Sequence, residues 1–375
     1  MKRKKTEKLN EKDIIAIDVY DHSGKILVKA STPVSSTIIK KLKDYNIPFA
    51  YVQDDSFHVS YIFDREDIVQ LLRVLWYFVK SNGQNSEILK IYNLDEIRMF
   101  AEYNNEVASK IAYGHIFKFF ISKLYKKVSE TKNFVYDFID YRVIENYLFF
   151  HSVNVAAISI LIGCDLGLEE KEIIDLGVGA LLYDLSMSLY KFIEQKRPLD
   201  AIEKEEMQQH VFMGYDAAKN IYGISSASAL IAYQHHERND GSGYPKKLKD
   251  EEISFLTKIV SVADVYDALI SNRPFRIAYN SDEAWNYIVD NSGVLFDEKV
   301  VDSFKKIIPK YIPGDIVELS DGKKAVIVKN IYNKSEQPVI KLFEKKDKGD
   351  IILKEEINLS EKKDIFILRV IETIR

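Results

Sequence analysis

The sequence predicts a mainly α protein: an all-helical core with a small α+β unit before it and a small β-rich unit after it. Three observations carry that prediction. From about residue 64 to 309, apolar residues recur at spacings of three and four, as in REDIVQLLRVLWYFVKS and FDEKVVDSFKKII, the period of an amphipathic helix. Glycine and proline are sparse over that stretch except at 240–245, so few positions interrupt a helix. Beyond residue 312, short β-rich runs alternate with Asp-Gly, Asn-Lys and Lys-Gly turns, the grammar of antiparallel strands. The expected units are 1–65, 66–311 with its core at 140–310, and 312–375.

In the first unit, IIAIDVY from Ile14 reads as a strand, Asp21, His22, Ser23 and Gly24 as a turn, and KILVKA as the returning run. Ser35 and Ser36 are hydroxyl caps for a helix reaching about Tyr45, since a serine oxygen accepts the free N–H groups of a first turn. FAYVQD follows as a further strand, and His22 and His58 read as solvated surface residues. In the helical unit, no residue from Tyr147 to Cys164 carries a formal charge. A spanning helix needs about 20 predominantly apolar residues. This run includes His151, Ser152, Asn154 and Ser159 and stops at Asp165, so it reads as a buried core helix.

Composition sets limits on function. With 46% hydrophobic residues in 375, enough apolar surface exists to offset folding entropy, which excludes a wholly disordered chain. The single cysteine, Cys164, excludes a disulfide framework and a four-cysteine zinc site and fits a reducing compartment. A net charge of −4 and a pI near 6.1 argue against a general nucleic-acid polymer as partner. The basic start, MKRKKTEKLNEKD, lacks the apolar run that a signal peptide requires. The expectation is a cytoplasmic protein with no membrane partner.

Chemistry concentrates in the helical unit. His151 opens an apolar period continued by Val155, Ile158 and Ile162, and Asp184 ends GVGALLYD. His210 begins a period with Val211, Gly214 and Ala218, while His235 and His236 follow SALIAYQ. Asp264 lies in KIVSVADVYDALIS among Ile259, Val260 and Val262. An inward carboxylate is costly unless it is paired, protonated or bound to metal. Two such carboxylates with four imidazoles suggest a cluster of divalent cations. Each histidine taken alone reads as a hydrogen-bonded core residue rather than a ligand, and Asp267 reads as a carboxylate facing solvent.

A longer segment decides between these. Residues 235–276, HHERNDGSGYPKKLKDEEISFLTKIVSVADVYDALISNRPFR, resemble the signature of the HD-GYP family of cyclic di-GMP phosphodiesterases, a branch of the HD-domain metal phosphohydrolases. HHE, the loop ending in Gly243-Tyr244-Pro245, ADVYDAL and NRPFR all take part. Upstream, HSVNVA from His151 and ALLYD ending at Asp184 are similar to the family's first blocks. The resemblance implies an HD-type core and metal ligands at His151, Asp184, His210, His235, His236 and Asp264, with Asp184 bridging two ions. Imidazole with carboxylate suits iron or manganese, and such ions activate water and neutralise charge on phosphoryl oxygens. By the same resemblance, Gly243 and Tyr244 would meet the substrate, and Arg273 and Arg276 would hold its phosphates through their planar forks.

The chain departs from the family at the motif that names it. Members carry His-Asp followed by a short Gly-Lys element, whereas here the run is Tyr183-Asp184-Leu185-Ser186-Met187. Tyr183 replaces a ligating histidine, and Met187 replaces a lysine expected near the substrate phosphate. Tyr147 stands where some members place a glutamate supporting a third metal. The ion served by Asp184, His210, His235 and His236 keeps its ligands. The other keeps His151, Asp184 and Asp264, with water or the Tyr183 oxygen for a further position. Asp184 and Tyr183 are thus the candidate catalytic residues.

The resemblance implies hydrolysis of cyclic di-GMP to pGpG or GMP with two divalent transition-metal ions, in bacterial second-messenger signalling that affects motility. It leaves the N-terminal unit as the place for protein partners. Two readings stand beside it. One is a degenerate member that senses cyclic di-GMP or tethers a partner without cleaving it. The other is hydrolysis of a different phosphodiester on the same scaffold.

Overall fold

The computed structural model describes residues 2–53, 113–131, 147–271, 278–345 and 351–372, less positions 17, 21–25, 46, 48, 191, 193, 194, 196 and 363. It also describes scattered helical residues between 68 and 102. The N-terminal unit pairs β1 (Lys2–Lys5) with β4 (Phe49–Val52) and β2 (Val19–Tyr20) with β3 (Ile26–Val28), both antiparallel. Helix α1 (Ser36–Asp44) starts at Ser35, whose Oγ accepts the Ile38 amide at 3.3 Å, the serine cap expected from the sequence. Leu9, Ile15, Val28, Leu42 and Val52 form a core of their own. The strand expected from Ile14 is shorter: Ile14 and Ile15 make only isolated bridges, to Pro33 and Val52. The expected turn at Asp21 to Gly24, with His22, lies outside the described residues, as does His58.

The helical unit comprises α2 (Tyr113–Ser129), α3 (Tyr147–Asp165), α4 (Glu170–Leu182), α5 (Ala201–Met207) and α6 (His210–Lys219). It continues with α7 (Ser226–Gln234), α8 (Phe255–Ile270), α9 (Ser281–Asp290) and α10 (Glu298–Ile307). Being apolar on every side, α3 can satisfy its surface only at the centre, where α2, α4, α8 and α10 surround it. Its window Leu148–Asp165 is long and apolar enough to cross a membrane, yet 83% of it is buried inside the protein. That packing is the core helix the sequence predicts. By contrast α10 has one apolar stripe, Val300, Val301, Phe304 and Ile307, all buried. Asp297 caps it, accepting the amides of Lys299 and Val300 at 3.0 and 3.3 Å.

One close approach positions the site. A Cβ at Gly179 on α4 would lie 2.4 Å from Ile231 Cδ1 and 2.9 Å from the Ser228 carbonyl oxygen on α7. Only glycine lets these helices meet so closely, which sets Tyr183 and Asp184, just past α4, beside His235, just past α7. The C-terminal unit is a five-stranded antiparallel sheet of β5 (Ile316–Leu319), β6 (Lys324–Lys329), β7 (Val339–Lys345), β8 (Ile351–Asn358) and β9 (Ile367–Glu372), in the order β8-β7-β6-β5-β9. It docks where α3 ends: Asp165 accepts the Tyr332 hydroxyl at 2.5 Å and pairs with Lys306 on α10 at 3.1 Å.

Candidate metal centre

The site begins with two pairs of residues one helical turn apart. His151 and Asn154 share a face of α3, and Asp264 and Asp267 share a face of α8, the i, i+3 relation that stacks side chains. The two faces meet. His151 Nδ1 lies 2.7 Å from Asp267 Oδ2, and Asn154 Nδ2 donates to Asp267 Oδ1 at 2.9 Å. A carboxylate accepts only, so His151 donates from Nδ1 to Asp267, and its Nε2 lies 2.9 Å from a second acceptor, Asp264 Oδ1. The Tyr183 hydroxyl completes this corner, 2.8 Å from His151 Nε2 and 2.9 Å from Asp264 Oδ1. Burial works against the charge on Asp264, but the His151 contact and the neighbouring imidazoles hold its carboxyl below the usual range.

A second corner is built from imidazoles. His210 opens α6 with Nδ1 2.6 Å from the Met207 carbonyl oxygen, and His235 caps α7 with Nδ1 3.0 Å from that of Ala232. Carbonyls also accept only, so both Nε2 atoms present lone pairs, and they face each other at 3.2 Å. Asp184 Oδ1 stands 3.3 Å from His210 Nε2 and 3.7 Å from His235 Nε2. That oxygen is buried and accepts no hydrogen bond among the described residues. His236 joins His210 and His235 with ligand atoms within 4.8 Å of one another. Burial drives His235 down to about 4 and His236 well below the ordinary imidazole value, so both stay neutral and able to ligate near pH 7.

Two imidazole nitrogens and a carboxylate oxygen converging this closely suit a cation at their focus. The donors Asp184, His210, His235 and His236 therefore fit a first-row divalent ion. The corner of His151, Asp264 and Tyr183 offers nitrogen and oxygen donors of the same chemistry.

The loop after His236 lies against this centre. Tyr244 stacks on His236 with ring centroids 4.6 Å apart, and its amide donates to the His236 carbonyl at 3.2 Å. A Cβ at Gly243 would lie 2.4 Å from the His236 carbonyl oxygen, so no larger residue fits there. Below the loop, buried Glu237 accepts the amides of Lys246 and Leu248 at 2.7 and 2.9 Å. Arg238 donates to the carbonyls of His235 and Glu237 at 2.9 and 2.7 Å.

Of the residues singled out in the sequence, the structure thus gathers Asp184, His210, His235 and His236 in one corner. His151, Asp264 and Tyr183 meet in the other, with Gly243 and Tyr244 over His236. Met187 is half-buried in the short helical turn after Asp184. Arg273 and Arg276, and the Tyr147 side chain, lie outside the described residues. Asp267 corrects its sequence reading: it is fully buried, not turned to solvent, because it orients His151. Sequence reasoning also missed Asn154 and Glu237. The spacing of three from His151 to Asn154 and from Asp264 to Asp267 was the available signal.

Two expectations follow from these contacts. Asp267→Asn keeps the shape but loses the charge behind His151, and it should weaken metal binding in that corner about 10–100-fold, the usual effect of losing a carboxylate behind a ligating histidine. Competition with a chelator measures this, and unchanged affinity would deny Asp267 its orienting role. The second concerns metal-free protein. With a folded pKa of about 4 against an ordinary 6.5, His235 takes up a proton on unfolding between those values. Stability should be complete above pH 6.5 and fall by about 3 kcal/mol as pH drops to about 4. The depressed Asp264 carboxyl extends the loss to lower pH. Urea melts of chelator-treated protein between pH 7.5 and 4 test the slope; a flat profile refutes it.

The fold and donor set define a helical metal-binding domain. Residues 139–300 match the HD domain family. The chain is 27% identical over 225 residues to a cyclic di-GMP phosphodiesterase of Pseudomonas aeruginosa, covering 60% of this chain and 54% of that protein. It is 38% identical over 146 residues to the cyclic di-GMP phosphodiesterase response regulator RpfG of Xanthomonas campestris, covering 38% and 39%. With a cyclic di-GMP phosphodiesterase of Thermotoga maritima it shares 30% identity over 230 residues, covering 58% and 61%. The matches thus span between two fifths and three fifths of these relatives' lengths.

Proposed function

We propose that this chain is a metal-dependent phosphodiesterase that hydrolyses cyclic di-GMP to pGpG or GMP in bacterial second-messenger signalling, acting in the cytoplasm. The observation that carries the reading is the approach of His210 Nε2 and His235 Nε2 to 3.2 Å, with Asp184 Oδ1 beside them accepting no hydrogen bond among the described residues. In this reading His151, Asp184, His210, His235, His236 and Asp264 hold two divalent ions, iron or manganese, with Asp184 shared between them. Ions so held supply Lewis-acid activation of water and charge neutralisation at the phosphoryl oxygens. The helical unit 66–311 carries the reaction, and the units 1–65 and 312–375 flank it.

The chain's own residues divide the remaining work. Asp267 and Asn154 fix the His151 ring, while the carbonyls of Met207 and Ala232 fix His210 and His235, so no reorganisation is needed when substrate arrives. Tyr244, held flat on His236, offers an aromatic face to a guanine base, and Gly243 keeps the loop backbone close to the centre. Arg273 and Arg276 are the residues assigned to hold the phosphates. Asp184 and Tyr183 stand nearest the reacting atoms.

Met187, in the place of an ammonium that would favour a charged transition state, favours a second reading, binding of cyclic di-GMP without turnover. Product analysis separates the two. Protein loaded anaerobically with iron or manganese should convert cyclic di-GMP to pGpG or GMP. Tight binding with intact nucleotide after prolonged incubation would establish the sensor instead.

A further inference from the structure

We propose that the Tyr183 phenolic oxygen is itself a metal ligand, completing with His151 and Asp264 one face of the second ion's coordination sphere; this rests on the two-ion reading above. The three donor atoms form a nearly equilateral triangle. Tyr183 Oη to His151 Nε2 is 2.8 Å, Tyr183 Oη to Asp264 Oδ1 is 2.9 Å, and His151 Nε2 to Asp264 Oδ1 is 2.9 Å. Ligands bound at about 2.0–2.2 Å and at right angles to one another lie about 3 Å apart. The observed triangle has the size of one face of an octahedral ion.

The three side chains are also buried together: Tyr183 and His151 are 0% and 2% exposed and Asp264 is 6% exposed, so little solvent would screen the attraction between these donors and an ion they held. The ring is also held in place, edge-on to His235 with centroids 4.7 Å apart and planes at 83°. The hydroxyl, not the ring edge, is what meets His151 and Asp264.

Phenolate is a hard oxygen donor suited to iron and manganese. On binding, the phenol O–H bond breaks as the oxygen–metal bond forms from the oxygen's lone pair. The proton passes to the buffer, and no electron is transferred when the ion is supplied already ferric.

The test uses the full chain loaded with a ferric salt, reading the visible spectrum and the iron content side by side. The expected result is a phenolate-to-iron charge-transfer band with two ions per chain. In Tyr183→Phe the band should vanish and iron content should fall by half. Tyr183→His should keep both ions without the band, and circular dichroism confirms that each variant is folded. Two ions in the native protein with no band, and both retained in Tyr183→Phe, would overturn the proposal and leave the two-ion reading standing. A single ion in native protein, again without the band, would overturn both.

Discussion

Replacing Asp184 with Ala is expected to lower cyclic di-GMP hydrolysis by about 10³-fold or more, the scale of losing a central electrostatic group in a preorganised site. Asp184 is the carboxylate beside His210 and His235, at 3.3 and 3.7 Å, and among the described residues no hydrogen bond ties its buried Oδ1 to another duty. Without it, neutral imidazoles alone must balance a doubly charged ion in a low-dielectric pocket, and metal content should fall together with turnover. Asp184→Asn separates charge from shape. It preserves the volume and should lose nearly as much activity, because an amide cannot neutralise the ion. Elemental analysis and chromatography of the nucleotide products measure the two losses on the same samples. Either variant turning over at the native rate with full metal content would remove Asp184 from the centre.

Gly243→Ala should weaken cyclic di-GMP binding about 100-fold, close to 2.7 kcal/mol. The added Cβ would meet the His236 carbonyl oxygen at 2.4 Å, Glu237 Cα at 2.5 Å and the Arg238 amide nitrogen at 2.6 Å. All three are backbone atoms next to buried residues, so the loop must retreat. Retreat breaks the Tyr244 amide bond to His236 and unstacks the two rings. Overpacking of this kind costs about 1–3 kcal/mol of stability, which urea denaturation reads independently of ligand. Calorimetry with cyclic di-GMP gives the affinity. Native-like binding in the variant would mean that the loop does not serve the ligand.

What the sequence made legible, and what it hid, divides by distance along the chain. The helical period around Val300, Phe304 and Ile307 is local, and α10 forms where that period places it. His235-His236 followed by a glycine loop is also local, and its neighbours in sequence are its neighbours in space. Asp267 failed because its partner, His151, stands 116 residues away. Nothing near Asp267 says that an imidazole waits opposite, and an unpaired acid reads by default as solvated. Strand β1 failed for a different reason. Its residues, Lys2 to Lys5, are all basic and lack the alternation that marks a half-buried strand. It is a strand because Phe49–Val52 offers a free backbone edge, and backbone pairing leaves no trace in side-chain chemistry. Tyr183 was visible as a departure, but the triangle it closes required the placement of α3, α4 and α8 together.

The chain order of the two corners has a consequence for how the centre comes into being. Asp184, His210, His235 and His236 arise within about 50 consecutive residues, whereas Asp264 follows about 30 residues later. During synthesis at about 5–20 residues per second, the imidazole corner is therefore complete in the nascent chain about 1–6 seconds before Asp264 is added. The helix that carries Asp264 does two jobs at once. As α8 docks on α3, it brings Asp264 and Asp267 to His151, and its Ser261 hydroxyl donates to the His235 carbonyl at 2.9 Å. One late folding event thus finishes the younger corner and fastens the older one, so maturation of the centre is ordered by topology alone.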